Sequence, residues 1–449
     1  MLVLLTHANH LYSDRKQVRK MQPYPPLQTL LGAALLRANG VDVAFFDATF
    51  DRGFASALDR LRPDVVAVCE DNFNFLTKMC LEPNRRLALE IAQAAQARGI
   101  RSIVNSSDAA DHPGVYLNGG FHLVIQGELE SSLVEAVAQP AAGVRPPRPP
   151  LSDLDRLPFP AWDLLDFQPY RRAWKQAHGY FSVNLAASRG CPYRCNWCAK
   201  PIHGSRYRAY SPARVAAEME RLIALCAPDQ IWFADDIFAL SAAWASEFAE
   251  CVERRNVRVP FRIQSRCDLM TRRAVEALRR AGCVEVWMGA ESGSQRVLDA
   301  MDKGIRLSQI EEARGNLRRH GIRACLFLQF GYLGEDWQDI QATIRMVRRL
   351  QPDDIGVSVS YPMPNTRFHE IVRGQIGSKA NWSDSGELAK MFQSQQPAEF
   401  YRALAHALHL EVRKTGSSRD LRHAWEKVER LRAQPQAASN RPLGAPCSF

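Results

Sequence analysis

Two stretches of the chain alternate short apolar runs with helical spacing. In the first, residues 2–5, 41–46, 65–69, 103–105 and 123–125 read as strands. Most are apolar without polar alternation, as in strands covered on both faces, with Asp42 and Asn105 the exceptions. Between them Leu27, Leu30, Leu31, Ala34 and Leu35 recur at helical spacing ahead of Gly40, and residues 84–98 behave alike ahead of Gly99. The second stretch repeats the order, with strands at 181–187, 231–234, 261–264, 284–288, 324–329 and 355–360. Helices at 211–226, 242–253, 271–281, 308–319 and 335–350 separate them. Pro212 directly after the cap Ser211, a Ser308 and Glu311 capping box, and the terminators Gly282 and Gly321 support these bounds.

Such repetition predicts an α/β protein with parallel sheets. The expected architecture is an N-terminal flavodoxin-like or Rossmann-type sheet domain, a partial (β/α)6 barrel of the TIM type, and a helical C-terminal segment. At 449 residues the chain exceeds what one core supports. Boundaries are expected at 1–140 for the first domain and 141–178 for a linker stiffened by Pro146, Pro147, Pro149 and Pro150. The barrel is expected over 179–375, then a segment at 376–434 with helices over 387–413 and 420–432, and a disordered tail at 435–449. In both architectures ligands gather beyond the carboxyl ends of the strands. For the first domain these are the loops after Leu5, Cys69, Asn105 and Gln126.

Composition narrows the function classes. With 46% hydrophobic and 24% charged residues the chain is that of an ordinary folded soluble protein. No apolar run approaches a bilayer span, and the run starting at Leu2 is too short for a signal peptide. A cytoplasmic protein with no membrane partner is expected. The net charge of +10 admits acidic partners, but Arg272, Arg273, Arg279, Arg280, Arg318 and Arg319 fall on helical patterns as a solvated face would, and no nucleic-acid partner is expected. Eleven scattered cysteines speak against a disulfide framework and for a reducing compartment. Cys69, Cys80, Cys226, Cys251, Cys267, Cys283 and Cys325 sit in apolar elements as small core residues, and Cys447 lies in the tail.

The remaining three stand together in Ser188-Arg189-Gly190-Cys191-Pro192-Tyr193-Arg194-Cys195-Asn196-Trp197-Cys198, just after the first strand of the second stretch. Three thiolates in so short a loop suit a metal needing soft donors, and without a nearby fourth Cys or His one coordination position lacks a protein ligand. A structural zinc site would normally be closed by four ligands. A zinc knuckle remains the plain alternative, but an iron-sulfur cube with one iron open to a ligand fits better. The C-x3-C-x2-C spacing, with Trp197 as the aromatic residue, resembles that of the radical S-adenosylmethionine (radical SAM) enzymes. The resemblance implies that Cys191, Cys195 and Cys198 hold three irons of a [4Fe-4S] cluster whose fourth iron binds SAM. One electron would then cleave SAM to methionine and a 5'-deoxyadenosyl radical.

Further stretches resemble, in order, the D-D-x-F, G-x-E-S, G-x-P-G-E and P-x-P-G-T blocks of that family. They are Asp235-Asp236-Ile237-Phe238, Gly289-Ala290-Glu291-Ser292, Gly331-Tyr332-Leu333-Gly334-Glu335 and Pro362-Met363-Pro364-Asn365-Thr366. Leu333 replaces a proline and Asn365 a glycine. The likeness implies a SAM pocket drawing on Asp235 and Asp236 for the methionine ammonium, Glu291 and Ser292 near the ribose, Gly331 and Gly334 by the adenine, and Pro364. Taken singly, an acidic pair at a strand end equally suits a helix cap.

The first domain, through Tyr24-Pro25-Pro26-Leu27, Val43 to Ala48, Pro63 to Val68 and Val124-Ile125-Gln126-Gly127-Glu128, resembles the cobalamin-binding domain that precedes the barrel in class B radical SAM methyltransferases. Cobalamin is implied by that likeness alone. The D-x-H-x-x-G signature is absent, Ser106-Ser107 stands for a usual G-G pair, and Gly127-Glu128-Leu129-Glu130 for G-E-G-E. His7 and His10 lie where a cobalt ligand would come from, though a loop histidine is commonly polar surface. A flavodoxin-like module without cofactor is the alternative. Residues 154–165 resemble the D-L-P-x-P-A-W-D-L segment between the two domains and are expected across the barrel mouth. Phe400-Tyr401-Arg402-Ala403-Leu404 also recurs in such relatives, lining the substrate side or capping the barrel.

The resemblance implies a cobalamin-dependent radical SAM enzyme, foremost a methyltransferase that moves a methyl group through methylcobalamin to an unreactive carbon of a small-molecule or natural-product substrate. A flavodoxin- or ferredoxin-type protein would donate electrons. The alternatives are a relative that rearranges, cyclises or oxidises its substrate without methyl transfer, and a non-catalytic cobalamin or metal carrier. A methylthiotransferase would bring further cluster cysteines in its first domain, where only Cys69 and Cys80 occur.

Overall fold

The apolar runs of the first stretch pair into one all-parallel sheet in the computed structural model, which describes residues 1–73, 81–199, 202–379, 381–382, 386–393 and 395–433. Its strands are β1 (Leu2–Thr6), β2 (Asp42–Phe45), β3 (Val65–Cys69), β4 (Arg101–Asn105), β5 (Leu123–Ile125) and β6 (Gly143–Arg145). They run in the order β2-β1-β3-β4-β5-β6, the doubly wound order with its switch between β1 and β3. Helices cover both faces and divide the core into two layers, one around Leu4, Val66, Val68 and Val104, the other around Val3, Leu5, Ala67 and Ile125. Adjacent residues of one strand feed opposite layers, which is why the runs are apolar without alternation.

The second sheet contains β7 (Ser182–Leu185), β10 (Gln230–Phe233), β11 (Phe261–Ser265), β12 (Cys283–Glu291), β13 (Arg323–Phe330) and β14 (Asp354–Val359). They lie side by side in chain order, all parallel, from β7 at one edge to β14 at the other. This is the six-unit partial barrel expected. Between its first two strands a short antiparallel ladder, β8 (Ser188–Arg189) with β9 (Arg208–Ala209), closes the base of the cysteine loop.

Four features depart from expectation. Gly143–Arg145 is a strand on the free edge of the first sheet, where neighbouring prolines cost no ladder bond, so the sheet runs into the stretch expected to be linker. A helix at Phe167–His178 follows in that stretch; its buried Trp174 donates Nε1 to Pro23 O at 2.7 Å and its Tyr170 hydroxyl donates to Asp47 Oδ2 at 2.8 Å. Residues 154–165 pack between the Leu27–Ala38 and Pro212–Cys226 helices rather than over the barrel mouth, with Ala161 N donating to Leu30 O and Trp162 Nε1 to Glu218 Oε1. The helix at Leu307–Arg319 begins before Ser308, and Gln309 Oε1 accepts the Arg306 N–H at 2.8 Å, taking the place of the Ser308 and Glu311 box.

After the barrel, the helix expected from 387 starts only at Ala398–Arg413 and is followed by Ser418–Ala433. Phe400, Tyr401 and Leu404 are buried there. Cys80, Cys447 and the 435–449 tail lie outside the described residues. Among the described residues no helix is long and apolar enough to cross a membrane.

Candidate functional site

The cysteine loop leaves the carboxyl end of β7, where the barrel rule places chemistry. Ser188 Oγ donates to Asp235 and Ala187 N donates to the same carboxylate at 3.1 Å, tying the loop to the end of β10. Gly190 follows with φ +73°, and Cys191 N donates to Gly204 O at 3.3 Å. Cys198 N donates to Cys195 O at 3.2 Å, a tight turn joining the second and third thiols. Asn196 inside that turn is a buried anchor. Its N–H reaches Met301 O at 3.0 Å, its Nδ2 reaches Ala300 O at 2.7 Å, its Oδ1 accepts from the Tyr332 hydroxyl at 3.0 Å and its carbonyl from Phe368 N at 3.0 Å. Nothing in the motif singles Asn196 out, since its partners lie more than a hundred residues away.

The three thiols differ from the other described cysteines. Cys69, Cys226, Cys251, Cys267, Cys283 and Cys325 are buried, as expected of core residues, while Cys191, Cys195 and Cys198 are partly exposed, and none of the nine is in a disulfide. Burial pushes the Cys267 thiol up to about 12. Cations surround Cys195 instead. Arg266 Nη1 lies 3.9 Å from its sulfur, with the guanidinium 3.5 Å over the Tyr193 ring. Lys303 is buried; burial lowers its pKa, but Glu291 and Cys195 more than offset this and hold the ammonium above its ordinary value. Among the described residues no three His, Cys, Asp or Glu side chains are drawn tightly enough to enclose a single ion. Trp197 packs on the cluster of Met301, Tyr332 and Phe368, with Lys303 Nζ 6.0 Å from its ring.

The other expected contact residues divide. Asp236 is exposed and Glu291 is buried, in the left-handed region at φ +59°, with Oε1 accepting from Lys303 Nζ at 2.7 Å. Gly289 leaves room for that pair: a Cβ there would lie 2.5 Å from Glu291 Oε1. Gly331, at φ +70°, has its N–H bonded to Glu335 and its carbonyl to Lys390. Gly334, at φ +79°, faces open space, and Pro364 is half-buried in the loop after β14. Asn365 has φ +61°, a conformation asparagine tolerates better than other side chains, which accounts for its standing in a glycine position. The Asp235 carboxylate is buried against Ala187 and Ser188, and Ser292 Oγ is buried against Thr343 Oγ1 at 3.2 Å while accepting from Ser294 N, so both side chains also brace the fold.

At the first sheet, neither ring nitrogen of His7 is spare: Nδ1 accepts from Asn9 N at 3.2 Å and Nε2 faces Asp47 Oδ1 at 3.1 Å. His10 bonds Ala48 O through Nδ1 at 2.8 Å. Ser106 caps a helix by accepting from Ala109 N at 2.9 Å, and Ser107 donates to Asn72 Oδ1. Around the carboxyl ends of β3 and β5, five buried oxygens have no hydrogen-bond partner among the described residues: Gln28 Oε1, Glu70 Oε2, Glu130 Oε2, Ser131 Oγ and Ser132 Oγ. Orphaned buried oxygens are costly and mark a place where a ligand's donors are satisfied. The amide arms that rim a corrin carry such donors, so these residues fit one.

Burial also raises several carboxyls, Glu70 and Asp71 after β3 and Asp235, Glu218 and Glu335 in the second unit, to about 7 for the first four and about 8 for Glu335. Between their unfolded and folded pKa values the folded state holds more protons, so this stability is complete below about pH 4 and is lost as pH rises through about 7–8. Thermal unfolding is expected to show a declining midpoint from about pH 5 to about pH 8. A midpoint climbing steadily across that interval would contradict these burials.

Residues 185–347 match the radical SAM superfamily. An uncharacterized methyltransferase of Pyrococcus horikoshii is 28% identical over 239 residues, covering 53% of this chain and 51% of that protein. The anaerobic magnesium-protoporphyrin IX monomethyl ester cyclase of Rubrivivax gelatinosus is 26% identical over 246 residues, covering 53% of this chain and 42% of that protein. The matches thus span about half the length of these curated relatives. The solved radical SAM methyltransferase TsrM of Kitasatospora setae, with cobalamin and a [4Fe-4S] cluster bound, has TM-score 0.68 at 20% identity, covering 83% of this chain and 78% of its own.

Proposed function

We propose, since residues 185–347 match the radical SAM superfamily, that this chain is a cobalamin-dependent enzyme whose radical reaction transfers a methyl group to an unreactive carbon of a small molecule. The observation that carries the reading is the set of three partly exposed thiols, Cys191, Cys195 and Cys198, on the loop after the first barrel strand, beside Arg266 and Lys303. The cluster, SAM and cobalamin supply the radical and methyl-transfer chemistry when bound. The chain's part is to hold and orient them and to exclude water.

The three cysteines would ligate the cluster. Trp197, Asp236, Glu291, Gly331, Gly334 and Pro364 would rim SAM, while Asp235 and Ser292 support that rim from behind. Residues Gln28, Glu70 and Glu130 to Ser132 would meet the corrin arms with their orphaned oxygens. The sheet unit ending near 145, the joining segment, the barrel and the C-terminal helices would act as successive domains. Cytoplasmic location is part of this reading, a reducing compartment being where nine described cysteines outside any disulfide would persist, with a flavodoxin- or ferredoxin-type electron donor.

Oxygen-free reconstitution with iron, sulfide, SAM and cobalamin, followed by mass spectrometry, tests the reading. Formation of 5'-deoxyadenosine with a product heavier by one methylene is expected. Deoxyadenosine with a rearranged, cyclised or oxidised product would favour the second reading, which the cyclase relative supports. No deoxyadenosine from a protein loaded with cluster and SAM would leave a carrier.

A further inference from the structure

The loop after β5 and the base of the cysteine loop meet between the two sheets in a buried group of charges. Glu130 Oε1 accepts from Arg189 Nη2 at 2.7 Å and from Gln28 Nε2 at 2.9 Å. Arg208 directs both terminal nitrogens at Glu128, Nη1 at 3.0 Å from Oε2. Arg189 Nη1 stands 3.9 Å from Glu128 Oε2, and His203 Nδ1 3.6 Å from Glu128 Oε1. Side-chain exposure is 0% for Arg189 and Glu130, 1% for Glu128 and 4% for Arg208. Two guanidiniums and two carboxylates balance.

The positions of these residues matter as much as their charges. Arg189 and Arg208 face each other in the β8–β9 ladder and so form the base from which the loop bearing Cys191, Cys195 and Cys198 springs. Glu128 and Glu130 come from the other sheet. Well-packed apolar groups would serve adhesion alone at least as well as buried ion pairs. What charges add is geometry, through forked hydrogen bonds, and a field that reaches their neighbours.

We propose that Glu128 and Glu130 are positioning residues for the cysteine loop: the first sheet grips the loop's base through Arg189 and Arg208, and the balance of these charges sets the field at the cluster. This rests on the cluster reading given above.

The test uses the full chain reconstituted without oxygen, with iron content and the cluster's midpoint potential followed by electron paramagnetic resonance. Glu130→Gln leaves a surplus buried positive charge, which stabilises the reduced cluster, so its potential should rise. Arg189→Met leaves a surplus negative charge, and the potential should fall. The double variant should return toward the wild type, in iron retention as well as in potential. A merely weakened fold would not produce shifts of opposite sign. Should Arg189→Met not fold, Arg208→Lys keeps the charge but not the fork to Glu128, and should retain the potential while losing iron more readily. Potentials that stay put, or move together, in variants of a cluster-bearing wild type would overturn this inference alone. A wild type that takes up no cluster would overturn the functional reading and this inference with it.

Discussion

Replacing Cys191, Cys195 or Cys198 with alanine is expected to remove the cluster iron and to reduce 5'-deoxyadenosine formation to background, while the thermal midpoint of the iron-free protein stays close to that of the iron-free wild type. The last clause follows from exposure. The three side chains are partly exposed, and substitutions at such places usually change stability by no more than about 0.5 kcal/mol. Cys251 supplies the contrast. It is buried in the large core, so Cys251→Ala should cost about 1 kcal/mol and leave iron and turnover in place. Iron analysis, deoxyadenosine assay and melting of the four variants together check the claim. A loop variant that kept both iron and turnover would remove the cluster from the account.

That contrast also marks how far the sequence reaches. Val65–Cys69 was legible because a strand covered on both faces is apolar throughout, and the six strands of the barrel because short apolar runs recur between helical patterns. Gly143–Arg145 was not, because an edge strand of three residues with one apolar side chain carries no periodic signal. The Phe167–His178 helix hid for a related reason, since the part of it that is buried is Tyr170 and Trp174, one turn apart among charged neighbours.

Site residues were legible where one short segment supplies them all. The cysteine trio is of that kind. The bracing by Asp235 and Ser292 was not legible, because a polar residue at a strand end can face a ligand or brace the next loop, and spacing along the chain does not distinguish the two. Asn196 and the Glu128, Glu130, Arg189 and Arg208 group had no local signal, since the partners described above are 59 or more residues distant. Those long-range bonds fix the loop's position, whereas the motif fixes only its chemistry.

Gly190→Ala is the substitution outside the thiols expected to cost most, and Gly334→Ala shows why. Both glycines have left-handed backbone, at φ +73° and +79°, so an alanine at either costs roughly 1–2 kcal/mol from conformation alone. Their surroundings separate them. A Cβ on Gly334 meets nothing within 4 Å, whereas one on Gly190 would lie 2.5 Å from Arg206 O, 2.9 Å from His203 O and 3.1 Å from Gly204 O. Those are main-chain oxygens and cannot rotate aside. The returning strand of the loop must shift, breaking the Cys191 N to Gly204 O bond, and overpacking of this sort adds about 1–3 kcal/mol. The strain falls between Arg189 and Cys191, so it should be relieved by displacing the loop while both sheets stay folded. Gly190→Ala is therefore expected to lose cluster iron with circular dichroism nearly unchanged, and Gly334→Ala to keep its iron at a slightly lower melting temperature. Equal iron retention in the two variants would mean that the loop tolerates movement, and that the close approach of its carbonyls to Gly190 has no bearing on how the thiols are held.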